Sequence, residues 1–91
     1  MITAIVLMEV EPPFILDTAQ SLADLQHVSE VYSVTGEFDL VAIVRVRQHD
    51  ELADVVTGEI AKVDGIVRTE TLVAFRAYSR HDLDAMFSLG G

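Results

Sequence analysis

The sequence predicts an α+β fold of the ferredoxin-like type, a four-stranded antiparallel sheet with two helices on one of its faces. Three observations carry that prediction. Strand-like and helix-like apolar periods alternate in the order β-α-β-β-α-β. Prolines and glycines fall at the element boundaries, and no linker, repeat or low-complexity tract divides residues 1–91, which form one domain. Right-handed crossovers then bring both helices to the same side of the sheet.

Residues 2–10 are mostly β-branched or otherwise apolar, and Pro12 and Pro13 end the run, as expected of a strand that stops before a helix. Over residues 14–26, Ile15, Ala19, Leu22 and Ala23 recur at helical spacing while Asp17, Gln20, Ser21 and Asp24 take the other face. Two starts fit this helix: a capping box of Asp17 with Gln20, or earlier nucleation by the prolines. Residues 28–35 and 38–47 read as the second and third strands, with Gly36 where the turn between them needs a positive φ.

Asp50 is a good N-cap for the second helix, in which Leu52, Val55, Val56, Ile60 and Val63 follow one face until Asp64 and Gly65 close it. Residues 66–75 form the fourth strand. Ser79 opens a short terminal segment, in which Leu83, Met86 and Phe87 line one side of a turn or two of helix before the frayed Gly90 and Gly91.

Helices on one side leave the other sheet face open, and a monomer keeps such a face polar. Here it is apolar. Leu40, Ala42, Val44 and Val46 point one way and Val41 and Ile43 the other, while Ala4, Val6 and Met8 oppose Ile5 and Leu7. A chain of this size buries only about 60 to 70% of its unfolded surface, too little to hide the 51% of residues that are apolar. The expected solution is a homodimer at least, two copies stacking their open sheet faces into a dimeric α/β barrel.

The formal net charge is −9, six Lys and Arg against fifteen Asp and Glu, which opposes any electrostatic hold on phosphates and argues against direct nucleic-acid binding. The absence of cysteine removes disulfides, thiolate metal sites and cysteine nucleophiles, and fits a reducing cytoplasmic interior. The apolar opening MITAIVLMEV has no basic start and reaches Glu9 after too few residues to cross a bilayer, so it reads as neither signal peptide nor membrane span.

The chemistry concentrates in VTGEFDLVAIVRV, residues 34–46, where two carboxylates and a phenylalanine crowd behind a glycine turn. Gly36 exposes backbone N–H groups suited to a carboxylate, and Asp39 suits an ammonium group. A simpler reading stands beside this one: Gly36 makes the turn, Glu37 is solvated and Asp39 bonds nearby backbone. Thr69 and Thr71, two apart, share one side of the fourth strand as ligand contacts or as plain β-formers. Tyr32 and Tyr78 are candidates for stacking on a ligand or at an interface, and neither has an activator visible in the sequence.

His27 near Asp24, and His81 near Asp82 and Asp84, match no metal-ligand spacing. No nucleophile motif, phosphate-cradling loop or environment-split acid pair points to enzymatic chemistry, and nothing calls for a cofactor or metal.

The strings VSEVYSVTGEFDLVAIVRV and DELADVVTGEIAKVDGIVRTETLVAF, with their separation, resemble the ligand-binding module of the Lrp/AsnC transcription regulators over nearly the whole chain. The family's Val-Thr-Gly step followed by an acid, an aromatic and an aspartate is matched by Val34, Thr35, Gly36, Glu37, Phe38 and Asp39. Its glycine and apolar residue before a strand with paired threonines is matched by Gly65, Ile66, Thr69 and Thr71. Phe38 stands where many relatives have tyrosine, which removes a hydroxyl and alters the expected ligand preference.

The resemblance implies a RAM domain, which dimerises through its sheets, assembles into higher oligomers and binds a small-molecule effector, an amino acid, between dimers. The implied ligand-binding residues are Gly36, Glu37, Phe38, Asp39, Thr69, Thr71 and Tyr32. The family's long members carry an N-terminal helix-turn-helix, whereas this sequence starts at the first strand, and it is expected to be a stand-alone form acting in transcription regulation without DNA binding of its own. Two other classes remain: a dimeric α/β-barrel enzyme such as a small monooxygenase or isomerase, and an interaction module pairing with longer Lrp/AsnC regulators.

Overall fold

The computed structural model describes residues 1–80 and bears out the predicted order of elements. Strand β1 runs Ile2–Val10, helix α1 Ile15–Ala23, β2 Val28–Ser33, β3 Leu40–Val46, α2 His49–Asp54 and β4 Ile66–Val73. The expected helix after Ser79 lies outside the described residues from position 81 onward.

All neighbouring strands pair antiparallel in the order β2-β3-β1-β4. Each crossover passes over one intervening strand, so this is the split arrangement of ferredoxin-like folds. The β1–β3 register runs from Ile2 opposite Val46 to Met8 opposite Leu40. On the other side of β1, Ala4 faces Val73, and a bulge between Glu9 and Val10 leaves Val67 unmatched at the start of β4.

The prolines, not a capping box, start the first helix. Pro12–Phe14 form a 3-10 turn that leads directly into α1, with a proline at its first position. Helix α1 buries Thr18 and Leu22 and half-buries Ile15 and Ala19, with Leu25 packed just past its end, while Ala23, expected inside, is exposed. Thr18 takes the inward place because its hydroxyl donates to the Asp64 carbonyl at 2.7 Å, which satisfies the one buried polar side chain among the described residues.

The second helix begins two residues earlier than expected. Gln48 is its N-cap and Asp50 lies within the first turn, where a carboxylate is favourable to the helix dipole without bonding the backbone. Beyond Asp54 the backbone widens into a π-turn, Val55–Glu59, then tightens into a 3-10 turn, Ile60–Lys62. The π-turn brings residues five apart into line, so Val55 and Ile60 are both buried against the sheet. Leu52 joins them, and Val56 and Val63 pack beside the core, so the apolar stripe read from the sequence faces inward as expected.

The core lies between these helices and one sheet face. Ala4, Val6, Met8, Leu40, Ala42 and Val44 are completely buried, and Val10, Val28 and Val46 nearly so. The other face, carrying Ile5, Leu7, Val41 and Ile43, is only half-buried, and Tyr32 and Leu72 beside it are 49% and 45% exposed. No helix among the described residues is long and apolar enough to cross a membrane.

Candidate functional site

The β2–β3 turn forms because Val34 N–H donates to the Asp39 carbonyl at 3.0 Å, closing a loop over Gly36, which adopts φ +110°. Only glycine takes that conformation without strain. No heavy atom lies within 4 Å of the place a Cβ would occupy, so the backbone here is open on that side. Glu37 projects into solvent, and Phe38 and Asp39 are half-buried.

Asp39 is tied to β1 twice. Its backbone N–H donates to the Met8 carbonyl at 2.8 Å, and its carboxylate Oδ2 accepts from Val10 N–H at 2.8 Å. Val10 lies beyond the last β1–β3 pair, Met8 opposite Leu40, so its N–H is past the end of the β3 ladder, and the aspartate satisfies it. The backbone role considered for Asp39 in the sequence is therefore present, and the other carboxylate oxygen has no partner within the chain among the described hydrogen bonds.

Arg68 was missed in the sequence and holds the turn to β4. Its guanidinium reaches Glu9 at 3.2 Å and Glu37 at 3.6 Å, and its Cζ stacks 4.7 Å from the Phe38 ring centre. The register explains it, since Arg68 lies directly opposite Glu9, and only long-range strand pairing brings either residue to a turn some thirty residues away. All these side chains are roughly half or more exposed, so each pair stabilises modestly and the cluster chiefly fixes where the turn sits.

The remaining predicted residues divide between the two sides of the sheet. Thr69 and Thr71 do share a face, as expected, but it is the helix side, because they lie opposite Met8 and Val6. Thr69 is exposed and Thr71 half-buried there. Tyr32 lies opposite Val41 on the open side and donates its hydroxyl to Glu30, which also pairs with Arg45 at 3.6 Å. That hydrogen bond and the Glu30 charge raise the Tyr32 pKa above the ordinary phenol value. The structure thus groups Gly36, Glu37, Phe38 and Asp39, places Thr69 level with them across β1, and sets Tyr32 apart.

The Asp64–Gly65 corner joins this region to α1. Gly65 has φ +96°, its carbonyl accepts from Glu11 N–H at 3.0 Å, and a Cβ there would stand 2.6 Å from Thr18 Oγ1 and 2.9 Å from Phe14 Cβ. Glycine is required at this corner both for its φ and for the close approach of the helix.

Residues 3–83 match the model of the Lrp/AsnC ligand binding domain. The chain belongs to the Lrp/AsnC ligand binding domain family. It superimposes on TTHA0845 from Thermus thermophilus with a TM-score of 0.82 at 51% identity, over 88% of this chain and 100% of that one. A feast or famine regulatory protein from M. tuberculosis, complexed with L-methionine, gives a TM-score of 0.73 at 27% identity, over 88% of this chain and 54% of that one. Among sequences, the transcriptional regulator LrpA of Pyrococcus horikoshii is 26% identical over 61 residues, 67% of this chain and 43% of LrpA. The chain spans about half the length of the curated relatives it matches, which are named as helix-turn-helix transcription regulators. The family and the fold inferred from the sequence are therefore both established.

Proposed function

We propose that this Lrp/AsnC ligand binding domain is an amino-acid-responsive oligomerisation module, and that its effector site is built around the β2–β3 turn. The observation that carries the reading is Asp39, whose Oδ2 is engaged by Val10 N–H while its second oxygen is available to an ammonium group. Gly36, with open space beside it, offers backbone to the ligand carboxylate. The regulator crystallised with L-methionine supports an amino acid as the ligand class.

The half-buried apolar face of β1 and β3 is the dimer surface in this reading, its burial supplying the hydrophobic area that a domain of this size lacks. Dimers assemble further at the turns, where a bound amino acid adds contacts that only the higher oligomer offers and shifts the equilibrium by mass action. The same surfaces allow mixed assemblies with longer Lrp/AsnC regulators. With a net charge of −9 the domain leaves DNA contact to another partner, acts in the cytoplasm and performs no catalysis.

Calorimetric titration with methionine and the other common amino acids tests the site. One or a few should bind saturably to the wild-type chain and at least tenfold more weakly to Asp39→Asn, which keeps an acceptor for Val10 N–H but removes the charge. Undiminished binding by Asp39→Asn contradicts the assignment.

A further inference from the structure

At the opposite end of the sheet from the β2–β3 turn the structure holds a polar cavity that the effector reading leaves unused. It measures about 540 Å³ and is lined by Gln26, His27, Arg45, Arg47, Gln48 and Glu51, with Met1 and Val46 completing the wall. The α1–β2 loop, the end of β3 and the corner into α2 meet there. Arg45 N–H donates to the His27 carbonyl at 3.0 Å, and Gln48 O accepts from Glu51 N–H at 3.1 Å, so backbone bonds fix the two loops that form it.

The charge distribution singles this cavity out. Two of the six Lys and Arg residues of a chain with net charge −9 stand at one cavity, Arg45 on β3 and Arg47 just past its end, with a histidine beside them. Arg68, by contrast, is held by both Glu9 and Glu37. Arg45 has a single exposed contact to Glu30 at 3.6 Å, too weak to occupy its five donors. Arg47 is exposed and takes part in no ion pair among the described residues.

The fold has no need of two such cations at the end of an apolar strand, and a guanidinium fork matches the geometry of a carboxylate or phosphate. The volume falls within the range of small-molecule sites, roughly 300 to 1,000 Å³.

We propose that this cavity is a second ligand site, for a small oxyanion that also carries a hydrogen-bond donor. Arg45 and Arg47 receive the anionic group. The Gln26 and Gln48 amides orient the ligand, and Glu51 accepts from its hydroxyl or ammonium group, which disfavours ligands that are anionic throughout. Arg45 lies six positions after Asp39, about 20 Å along the strand direction, so one small ligand cannot reach both ends. The site stands independently of the effector assignment at the turn.

The test is a titration of backbone amide chemical shifts with inorganic phosphate and, separately, with acetate, at ionic strength held constant by sodium chloride. The amides of residues 26–28 and 45–51 are expected to shift saturably with at least one of the two anions. Arg47→Gln is expected to weaken that binding about fivefold or more, while Lys62→Gln, an equal loss of charge elsewhere, leaves it unchanged. Saturation by phosphate alone marks a phosphate ester as the ligand, and saturation by acetate a carboxylate. Linear, scattered shifts, shifts confined to residues 36–39, or equal weakening by both variants would overturn the proposal.

Discussion

The two faces of the sheet are built from the same strands and both carry apolar side chains at the centre of β1 and β3, yet they live in different surroundings. On β1, Ala4, Val6 and Met8 are fully buried under the helices while Ile5 and Leu7, between them, are half-buried. On β3, Leu40, Ala42 and Val44 are buried and Val41 and Ile43 are not. Among the described residues, cover is supplied by α1 and the α2 region alone, so the open face there retains hydrophobic surface that a second copy is suited to remove. In the proposed dimer, strand composition answers to two partners, one inside the chain and one outside it.

The strongest way to break that comparison is to place the same charge on each face. Val44→Asp buries a carboxylate without a partner and should cost more than about 4 kcal/mol, abolishing the cooperative unfolding transition seen by circular dichroism. Ile43→Asp, one residue away, should keep the fold and lose the dimer, read as a halved solution mass. Equal behaviour of the two variants removes the distinction between the faces.

The glycines sharpen the same contrast. Gly65→Val, with its Cβ driven against Thr18 and Phe14 on the covered side at φ +96°, should destabilise by about 2 to 4 kcal/mol in denaturant melts. Gly36→Ala meets open space and pays chiefly for its φ of +110°, about 1 to 2 kcal/mol.

At the junction of the faces, Asp39→Ala leaves Val10 N–H without its acceptor and should cost about 1 to 3 kcal/mol, whereas Asp39→Asn recovers most of that loss. Arg68→Gln, among half-exposed partners on the open side, should change stability by less than about 1 kcal/mol, measured by the same melts. The smallest effect concerns Tyr32. Glu30→Gln removes the charge that opposes phenol ionisation, so the Tyr32 pKa, followed by its ring carbon shift, should fall toward the ordinary value with no loss of fold.

Local patterning made much of this molecule legible. The alternation along β1 and β3 sorted the apolar residues from Ala4 to Met8 and from Leu40 to Val44, with Val46, as observed, and Gly36 marked the turn that needs a positive φ. What the sequence hid depends on pairing between distant segments or on departures from a regular helical period. Arg68 reaches the turn only because β4 pairs with β1, and Val10 needs Asp39 because β1 runs on past its last pair with β3. Val55 and Ile60 were read on one face, but the π-turn between them was not, and nothing local marked Thr18 as buried, since its acceptor is the distant Asp64 carbonyl. Thr69 and Thr71 were correctly paired with each other, but their side of the sheet followed from the register with β1.

Solution mass by light scattering, repeated with each common amino acid, tests the central claim most directly. The account predicts a dimer or larger assembly whose mass or thermal stability responds to one or a few amino acids. A monomer, or an assembly indifferent to all of them, would contradict it.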